Sequence, residues 1–236
     1  MGLYVILIGP QGAGKGVQAK FIQEQYGIPH VSTGDLFRAM RTREDALARD
    51  IQQTMAAGNL VSDEQTNKVV EERLAQPDAK DGVIFDGYPR NAAQAEWLEK
   101  HLAGQDKKVN SVLLLDLDLY IAFKRAFGRV KSPEDENVTY NIYFDDAAIE
   151  WEWVKAPENE FPPRLKAVEK SSRKACVRRP DDADAASVIK RIDTYLETTQ
   201  PLIEYYREKG LVREVNAEES IEQVSRAIKK LIDGTL

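Results

Sequence analysis

Gly9, Gly12, Gly14 and Gly16 bracket a single lysine, Lys15, in the segment GPQGAGKGVQ. Glycines at this density let a backbone wrap around an anion with its N–H groups turned inward, and a helix N-terminus behind them adds positive potential. Lys15 then supplies a mobile full charge for outer phosphates. A glycine-rich turn alone also serves tight strand–helix packing, so the informative feature is the combined spacing G-x4-G-K between a strand and a helix. The general pattern places a hydroxyl after the lysine, whereas Gly16 and Val17 stand here.

Further chemistry-bearing residues fall at two other predicted strand ends. STGDLFR (32–38) carries Thr33 and ends in Arg38, and DGYPRN (86–91) carries Asp86, Gly87 and Arg90, with Gln94 just beyond. Open α/β sheets place ligands at the carboxyl ends of their strands. Read singly, each segment is a capped turn with a solvated arginine. His30 and His101 are read as structural or exposed.

The elements that must position these residues are legible in outline. LYVILIG (3–9), PHVST (29–33), GVIFDG (82–87), SVLLLDL (111–117) and LVREVN (211–216) read as strands. The first, third and fourth are too continuously apolar for a sheet with one wet face, which implies a parallel sheet covered on both sides. Ser62 and Gln65 form a capping box ahead of Val69, Val70 and Leu74. A long helix pattern runs from Val188 to Tyr206 and should be bent or divided at Pro201 before Gly210 stops it. Asn216 and Glu219 are placed to cap a last helix carrying Ile221 to Ile232. The fold expected is α/β: a doubly wound, five-stranded parallel sheet with helices on both faces.

Residues 130–178 interrupt that rhythm. VTYNIYF (138–144) and IEWEWVK (149–155) alternate, with Ile149, Trp151 and Trp153 on one face and DDAA between the segments as a turn. A small inserted β subdomain with cross-strand aromatic pairs and a tryptophan core is expected; the alternatives are a surface excursion or a docking surface.

Composition limits the rest. With 236 residues, 42% apolar and 31% charged, the chain is an ordinary globular protein, and a net charge of −6 argues against a general nucleic-acid binder. One cysteine, Cys176, allows no internal disulfide and fits a reducing, cytoplasmic setting. No stretch reads as a membrane span or a signal peptide.

On the glycine loop and the segments around it, the chain resembles the adenylate kinase family of nucleoside monophosphate kinases, whose loop usually reads G-x-P-G-x-G-K-G-T-Q. The resemblance covers residues 1 to about 130 and 178 to about 232 and implies the reaction ATP + AMP ⇌ 2 ADP. It implies a P-loop core (1–32, 62–129 and 179–236), a helical acceptor flap (33–61) and a lid (130–178). Gly12, Ala13, Gly14, Lys15, Gly16 and Val17 correspond to the ATP loop. FKRAFGRV (123–130) supplies Arg125 and Arg129, and RRPDDADAASVIKR (178–191) supplies Arg179 with Asp181, Asp182 and, one residue out of register, Arg191.

With Lys15 and Arg90, these four arginines would neutralise the transferring phosphoryl group; arginine's planar fork suits phosphate. Arg38 and Arg90 resemble the grip on the acceptor phosphate. Thr33, Leu60, Val61, Gly87 and Gln94 resemble the AMP site. Asp86 resembles the carboxylate that orients water on Mg²⁺ carried by ATP. Structural zinc is not expected, because the lid offers only Cys176 and no histidine. The protein is expected to be monomeric, with nucleotides as its partners and neither nucleic acid nor membrane among them.

Thr33 and Gln94 favour AMP, whereas Asn91 is more typical of relatives acting on UMP or CMP. Val17 replaces the family's threonine, so one hydroxyl contact to donor phosphate is lost. At about 1.5–3 kcal/mol for a hydrogen bond to a charged group, the upper bound on the loss is about tenfold to somewhat over a hundredfold. A nucleotide sensor or scaffold with weak transfer is the reading from a different class.

Overall fold

The computed structural model describes residues 2–56, 61–135, 138–145, 147–154, 164–178, 182 and 184–235. The strands are β1 (Leu3–Ile8), β2 (His30–Ser32), β3 (Gly82–Asp86), β4 (Ser111–Asp116), β5 (Arg129–Lys131), β6 (Thr139–Asn141), β7 (Ile149–Val154), β8 (Arg164–Glu169) and β9 (Val212–Asn216). The helices are α1 (Lys15–Tyr26), α2 (Thr33–Met40), α3 (Ala46–Ala56), α4 (Asp63–Leu74), α5 (Ala92–Ala103), α6 (Leu119–Phe127), α7 (Ala185–Glu208) and α8 (Ile221–Asp233). The chain forms two compact units, one of Met1–Gly9, Gly14–Asp116 and Thr198–Leu236, the other of Pro10–Ala13 and Leu117–Glu197.

The first unit holds the five-stranded sheet in the order β2-β3-β1-β4-β9, every neighbour parallel. All six residues of β1 are buried, as are the first four of β3 and the first five of β4. The continuous apolar runs therefore mean what they implied, a sheet covered on both faces. Beside it, α2, α3 and α4 close a separate small core of Met40, Ala48, Ile51 and Val69, with Leu36, Phe37, Leu47 and Val61 against it. Ser62 and Gln65 form the expected capping box on α4.

One helix expectation needs correction and a second is narrowed. The N-cap of α8 is Ser220, in a capping box with Gln223, and the Asn216 side chain instead accepts from the Glu218 N–H. Four residues of turn thus separate β9 from α8, and Ser220 is the oxygen-bearing side chain nearest the first helical turn. Pro201 does not divide α7, which runs unbroken through it. Leu202, Ile203 and Tyr206 are buried just beyond the proline, and packing of that face outweighs the missing backbone donor.

The second unit departs further from expectation. Residues 138–144 and 149–154 do not pair as a hairpin, and residue 155 lies outside the described residues. β6 pairs antiparallel with β5, and β7 with β8. The reason lies in Asn141 and Asp145. Asp145 accepts from the Asn141 N–H at 2.6 Å, and the Asn141 side chain accepts from the Tyr143 N–H at 2.9 Å, which curls the chain into a turn after three strand residues. Asn and Asp side chains offer the backbone this alternative to a ladder.

The core of this β region is Val130, Ile142, Ile149, Leu165 and Ala167, with Tyr140, Ala148 and Cys176 packed on it. Trp151 and Trp153 are not part of it: they are 38% and 48% exposed. Ile149 enters the cluster and the same strand face then runs out onto the surface. There Trp153 stacks on Phe127 at 5.9 Å and Trp151 meets Trp153 edge-on at 5.5 Å. Opposite them across the ladder stand Ala167 and Leu165, not aromatic residues. Residue 155 and residues 156–163 lie outside the described residues.

Candidate functional site

In the first unit, the chain leaves β1 and enters α1 at Lys15, whose Nζ donates to the Gly9 carbonyl at 2.6 Å. Gly14, the N-cap, has φ 85 and no capping side chain, and of the first-turn N–H groups of α1 that of Val17 donates to the Gly14 carbonyl at 3.0 Å. Gly16 and Val17 occupy that exposed first turn, Val17 at 48% exposure. A threonine would fit there as readily as valine.

The ends of β2 and β3 bring Thr33, Gly87 and Arg90 together. Thr33, 1% exposed, donates its hydroxyl to the Gly87 carbonyl at 2.8 Å. That carbonyl also accepts Arg90 Nε at 2.9 Å, while Arg90 Nη2 donates to Thr33 Oγ1 at 3.3 Å. Gly87 has φ 75, and a Cβ there would stand 2.9 Å from Thr33 Oγ1. The position requires glycine for both conformation and space. Arg90 keeps an accessible side yet has protein around it; that desolvation lowers its pKa from the ordinary arginine value, against the opposing charge of Asp86.

Arg38 pairs with Asp35 one helical turn earlier. Burial pushes the Asp35 carboxyl up, but the hydrogen bond and charge of Arg38 outweigh it and leave the pKa below its usual value. Asp86 ends β3, and His30 Nε2 lies 3.3 Å from its Oδ2. His30, read from sequence as structural or exposed, is therefore the neighbour of that carboxylate. His101 stacks on Trp97 at 4.9 Å and is a structural residue of α5.

Gln94 is 4% exposed and bonded at both ends. Its Nε2 donates to Asp63 Oδ1 at 2.6 Å, and its Oε1 accepts the Arg90 N–H at 2.8 Å. Asn91 is the N-cap of α5, accepting from the Gln94 N–H, and its Nδ2 reaches both Asp63 oxygens at 3.2 and 3.1 Å. A capping side chain that also donates to a carboxylate accounts for Asn91 without reference to base choice. Val61 sits against the α2–α4 core. Leu60 lies outside the described residues.

In the second unit, Gly12 and Ala13 of the glycine loop lie with α6. Gly12 has φ 92, and a Cβ there would come within 2.6 Å of the Ala122 carbonyl and 3.0 Å of Arg125 Cβ. Arg125 thus stands on the helix against which the loop backbone packs. Asp182, fully buried, gathers what surrounds it. It accepts Arg129 through Nε at 3.0 Å and Nη2 at 2.7 Å, Arg191 Nη1 at 3.2 Å, and Gln11 Nε2 at 2.7 Å. The extra residue before Arg191 has not taken that arginine out of the cluster. Arg179 and Asp181 lie outside the described residues.

Two groups in these networks were not singled out from sequence. Gln11 stands where the family's loop has proline, and nothing along the chain ties it to an aspartate 171 positions later. Asp63 looks like an ordinary first-turn acidic residue of α4.

The matches to known proteins follow this geometry. The family model described as adenylate kinase matches residues 7–211. The chain is 36% identical over 228 residues to a protein named adenylate kinase from Clostridium kluyveri, covering 97% of both chains. It is 37% identical over 230 residues to one of that name from Thermotoga neapolitana, covering 97% of this chain and 96% of the relative. The chain belongs to the adenylate kinase family. The matched span also runs through residues 131–177, between the two stretches that carry the resemblance in sequence. Members of this family are phosphotransferases, and the five-stranded parallel sheet with its glycine loop is consistent with the family's P-loop fold.

Proposed function

We propose that this chain catalyses reversible phosphoryl transfer between ATP and AMP, giving two ADP, and that it does so as a cytoplasmic monomer. Family membership supports the nucleoside monophosphate kinase activity. The observation that carries the acceptor side is the cluster of Thr33, Gly87 and Arg90 beside a bonded Gln94.

In this reading an oxygen of the AMP phosphate attacks the γ-phosphorus of ATP in line, the bond from that phosphorus to the β–γ bridging oxygen breaks, and ADP leaves with the electron pair. The attacking oxygen is already anionic, so no protein base is needed. Lys15 and the N–H groups of the loop and of the first turn of α1 hold donor phosphates. Arg38 and Arg90 hold the acceptor phosphate. Arg125, Arg129, Arg179 and Arg191 offset the charge that spreads over the transferring group. Residues 33–61 serve as the acceptor flap and 130–178 as the lid, and their closure would exclude water that otherwise hydrolyses the donor.

Asp86 suits a magnesium ion brought in by the nucleotide. A single half-buried carboxylate at a strand end is a hard oxygen donor, and Mg²⁺ commonly keeps its waters and binds through phosphates and one or two such groups. Bound there, the ion would draw charge from the phosphate oxygens; Asp86 would orient its water, with His30 fixing the carboxylate.

The test is ADP formation from Mg–ATP with AMP, UMP, CMP or GMP, run beside Val17→Thr. Turnover with AMP, raised by threonine by no more than about a hundredfold, is the expected result. Turnover chiefly with UMP or CMP would move the assignment within the family, and ATP binding without turnover on any acceptor would overturn the kinase reading.

A further inference from the structure

The Gln94 carboxamide has two N–H donors and two acceptor lone pairs. Asp63 Oδ1 takes one donor at 2.6 Å, and the Arg90 N–H takes one lone pair at 2.8 Å. Among the described residues, one donor and one acceptor of this buried amide have no partner. A carboxylate only accepts and a backbone N–H only donates, so the two bonds together allow a single orientation. Turning the amide over would set Oε1 against the Asp63 carboxylate and Nε2 against the Arg90 N–H.

We infer that Asp63 is a specificity-determining positioning residue, which fixes the Gln94 amide so that it accepts an amino-bearing base edge and rejects a keto-bearing one. The inference deepens the reading of Gln94 as a reader of the acceptor base, and rests on it. Adenine presents an N6 amino donor beside the N1 acceptor, which complements the remaining Oε1 lone pair and the remaining Nε2 hydrogen. Hypoxanthine and guanine present the reverse, an O6 acceptor beside an N1–H donor, and uracil does the same with O4 and N3–H. Against a fixed amide those edges set donor on donor and acceptor on acceptor. A freely turning glutamine would serve both kinds of edge and select neither.

The anchoring of Asp63 supports the role. It is the first residue of α4, directly after the N-cap Ser62, whose capping box with Gln65 holds the backbone there. Asn91 Nδ2 spans both oxygens of the carboxylate at 3.2 and 3.1 Å, and Asn91 Oδ1 accepts the Gln94 N–H at 2.9 Å. Carboxylate, asparagine and glutamine thus form a closed set, and the glutamine amide is the member it orients. A role confined to the N-terminus of α4 would require neither contact.

The decisive probe is IMP, which differs from AMP only at the edge in question. Selectivity is the ratio of kcat/KM for AMP to that for IMP, measured with Mg–ATP for the native protein, Asp63→Asn and Gln94→Leu. The asparagine amide can turn together with Gln94, so this variant should lose about tenfold or more of the selectivity, with KM for AMP rising more than kcat falls. Gln94→Leu should remove the selectivity altogether. Should Asp63→Asn fail to fold, Asp63→Ser, which suits a first helical turn, takes its place. If Gln94→Leu leaves the AMP preference intact, Gln94 does not read the base and the proposal falls with that reading. If Gln94→Leu abolishes the preference while the folded Asp63 variants keep it within about twofold, the reading of Gln94 stands and the role of Asp63 is overturned.

Discussion

Asp182 and Glu169 are buried carboxylates in the same unit, 0% and 4% exposed, and they solve burial in opposite ways. Asp182 is satisfied by charge: Arg129 and Arg191, with the Gln11 amide added. Glu169 is satisfied by neutral hydroxyls, Ser132 at 2.9 Å, Tyr140 at 2.8 Å and Ser172 at 2.5 Å. A buried charge must be paired or fully hydrogen-bonded. The first solution holds cations in place, which an anionic ligand could then share. The second ties β5, β6, β8 and the turn after β8 to one point through hydroxyls, with no ion pair to Glu169 among the described residues. We read Asp182 as part of the wiring of the proposed site and Glu169 as the fastening of the proposed lid.

Breaking the first centre should have the largest effect. Asp182→Asn leaves two arginines without their shared anion. Breaking a buried pair costs about 3–5 kcal/mol, but both arginines keep a face in water, so about 2–4 kcal/mol of stability is expected. Loss of arginine positioning should also lower kcat/KM by about a hundredfold or more, as removal of a charge-stabilising group does in other active sites. Chemical denaturation and steady-state kinetics on the same preparation check both. Retention of full activity in a folded Asp182→Asn would dissolve the contrast between the two centres.

Glu169→Gln should act on the lid and much less on the chemistry. A carboxamide replaces two of the acceptor lone pairs with donors, so the three hydroxyls no longer all have an acceptor. Faster amide exchange in β5, β6 and β8, with kcat changed only a few-fold, is the expected pattern. The same centre predicts a pH dependence. The hydroxyls of Ser172, Tyr140 and Ser132 hold the Glu169 carboxyl below its ordinary value. A depressed folded pKa means stability present above the unfolded value of about 4.3 and lost as pH falls through the folded one. Protection factors of the amides in β5, β6 and β8 should therefore fall as the pH drops below that unfolded value, and Glu169→Gln should flatten that fall.

The contrast also explains what could be read in advance. The sheet was legible because β1, β3 and β4 are continuous apolar runs whose burial needs no partner's identity. The places of Lys15, Thr33, Arg90 and Gln94 in the fold were legible because each stands at a strand end or helix start. The β region of the second unit was not, because pairing of β7 with β8 instead of 138–144 depends on the Asn141–Asp145 turn, and alternation alone does not choose a partner. The tryptophans misled for a related reason: Ile149, Trp151 and Trp153 share a face, but of the three only Ile149 is buried. Asp63 and Gln11 gain their meaning only from residues 31 and 171 positions away.

Trp153→Ala tests that last point. A core tryptophan costs about 3–5 kcal/mol on truncation. Half exposed and stacked on Phe127 at 5.9 Å, Trp153 should cost about 1 kcal/mol, mostly its ring contact. Urea denaturation separates these values, and a loss in the core range would restore the tryptophan core expected from alternation.

Gln11 gives the smallest and most discriminating change at the Asp182 centre. Its Nε2 bond to Asp182 is short, at 2.7 Å, but its Oε1 is buried with no hydrogen-bond partner among the described residues. Gln11→Ala removes a favourable bond and an unsatisfied acceptor together, so the two effects partly offset. A net loss of about 0.5–1.5 kcal/mol is expected, below the range for a charged hydrogen bond alone. Gln11→Glu should be worse than alanine, since it sets a second carboxylate against Asp182 and draws on the same two arginines. If the alanine variant were instead the less stable of the two, the arginines would have charge to spare, and Asp182 would not be the anion on which they depend.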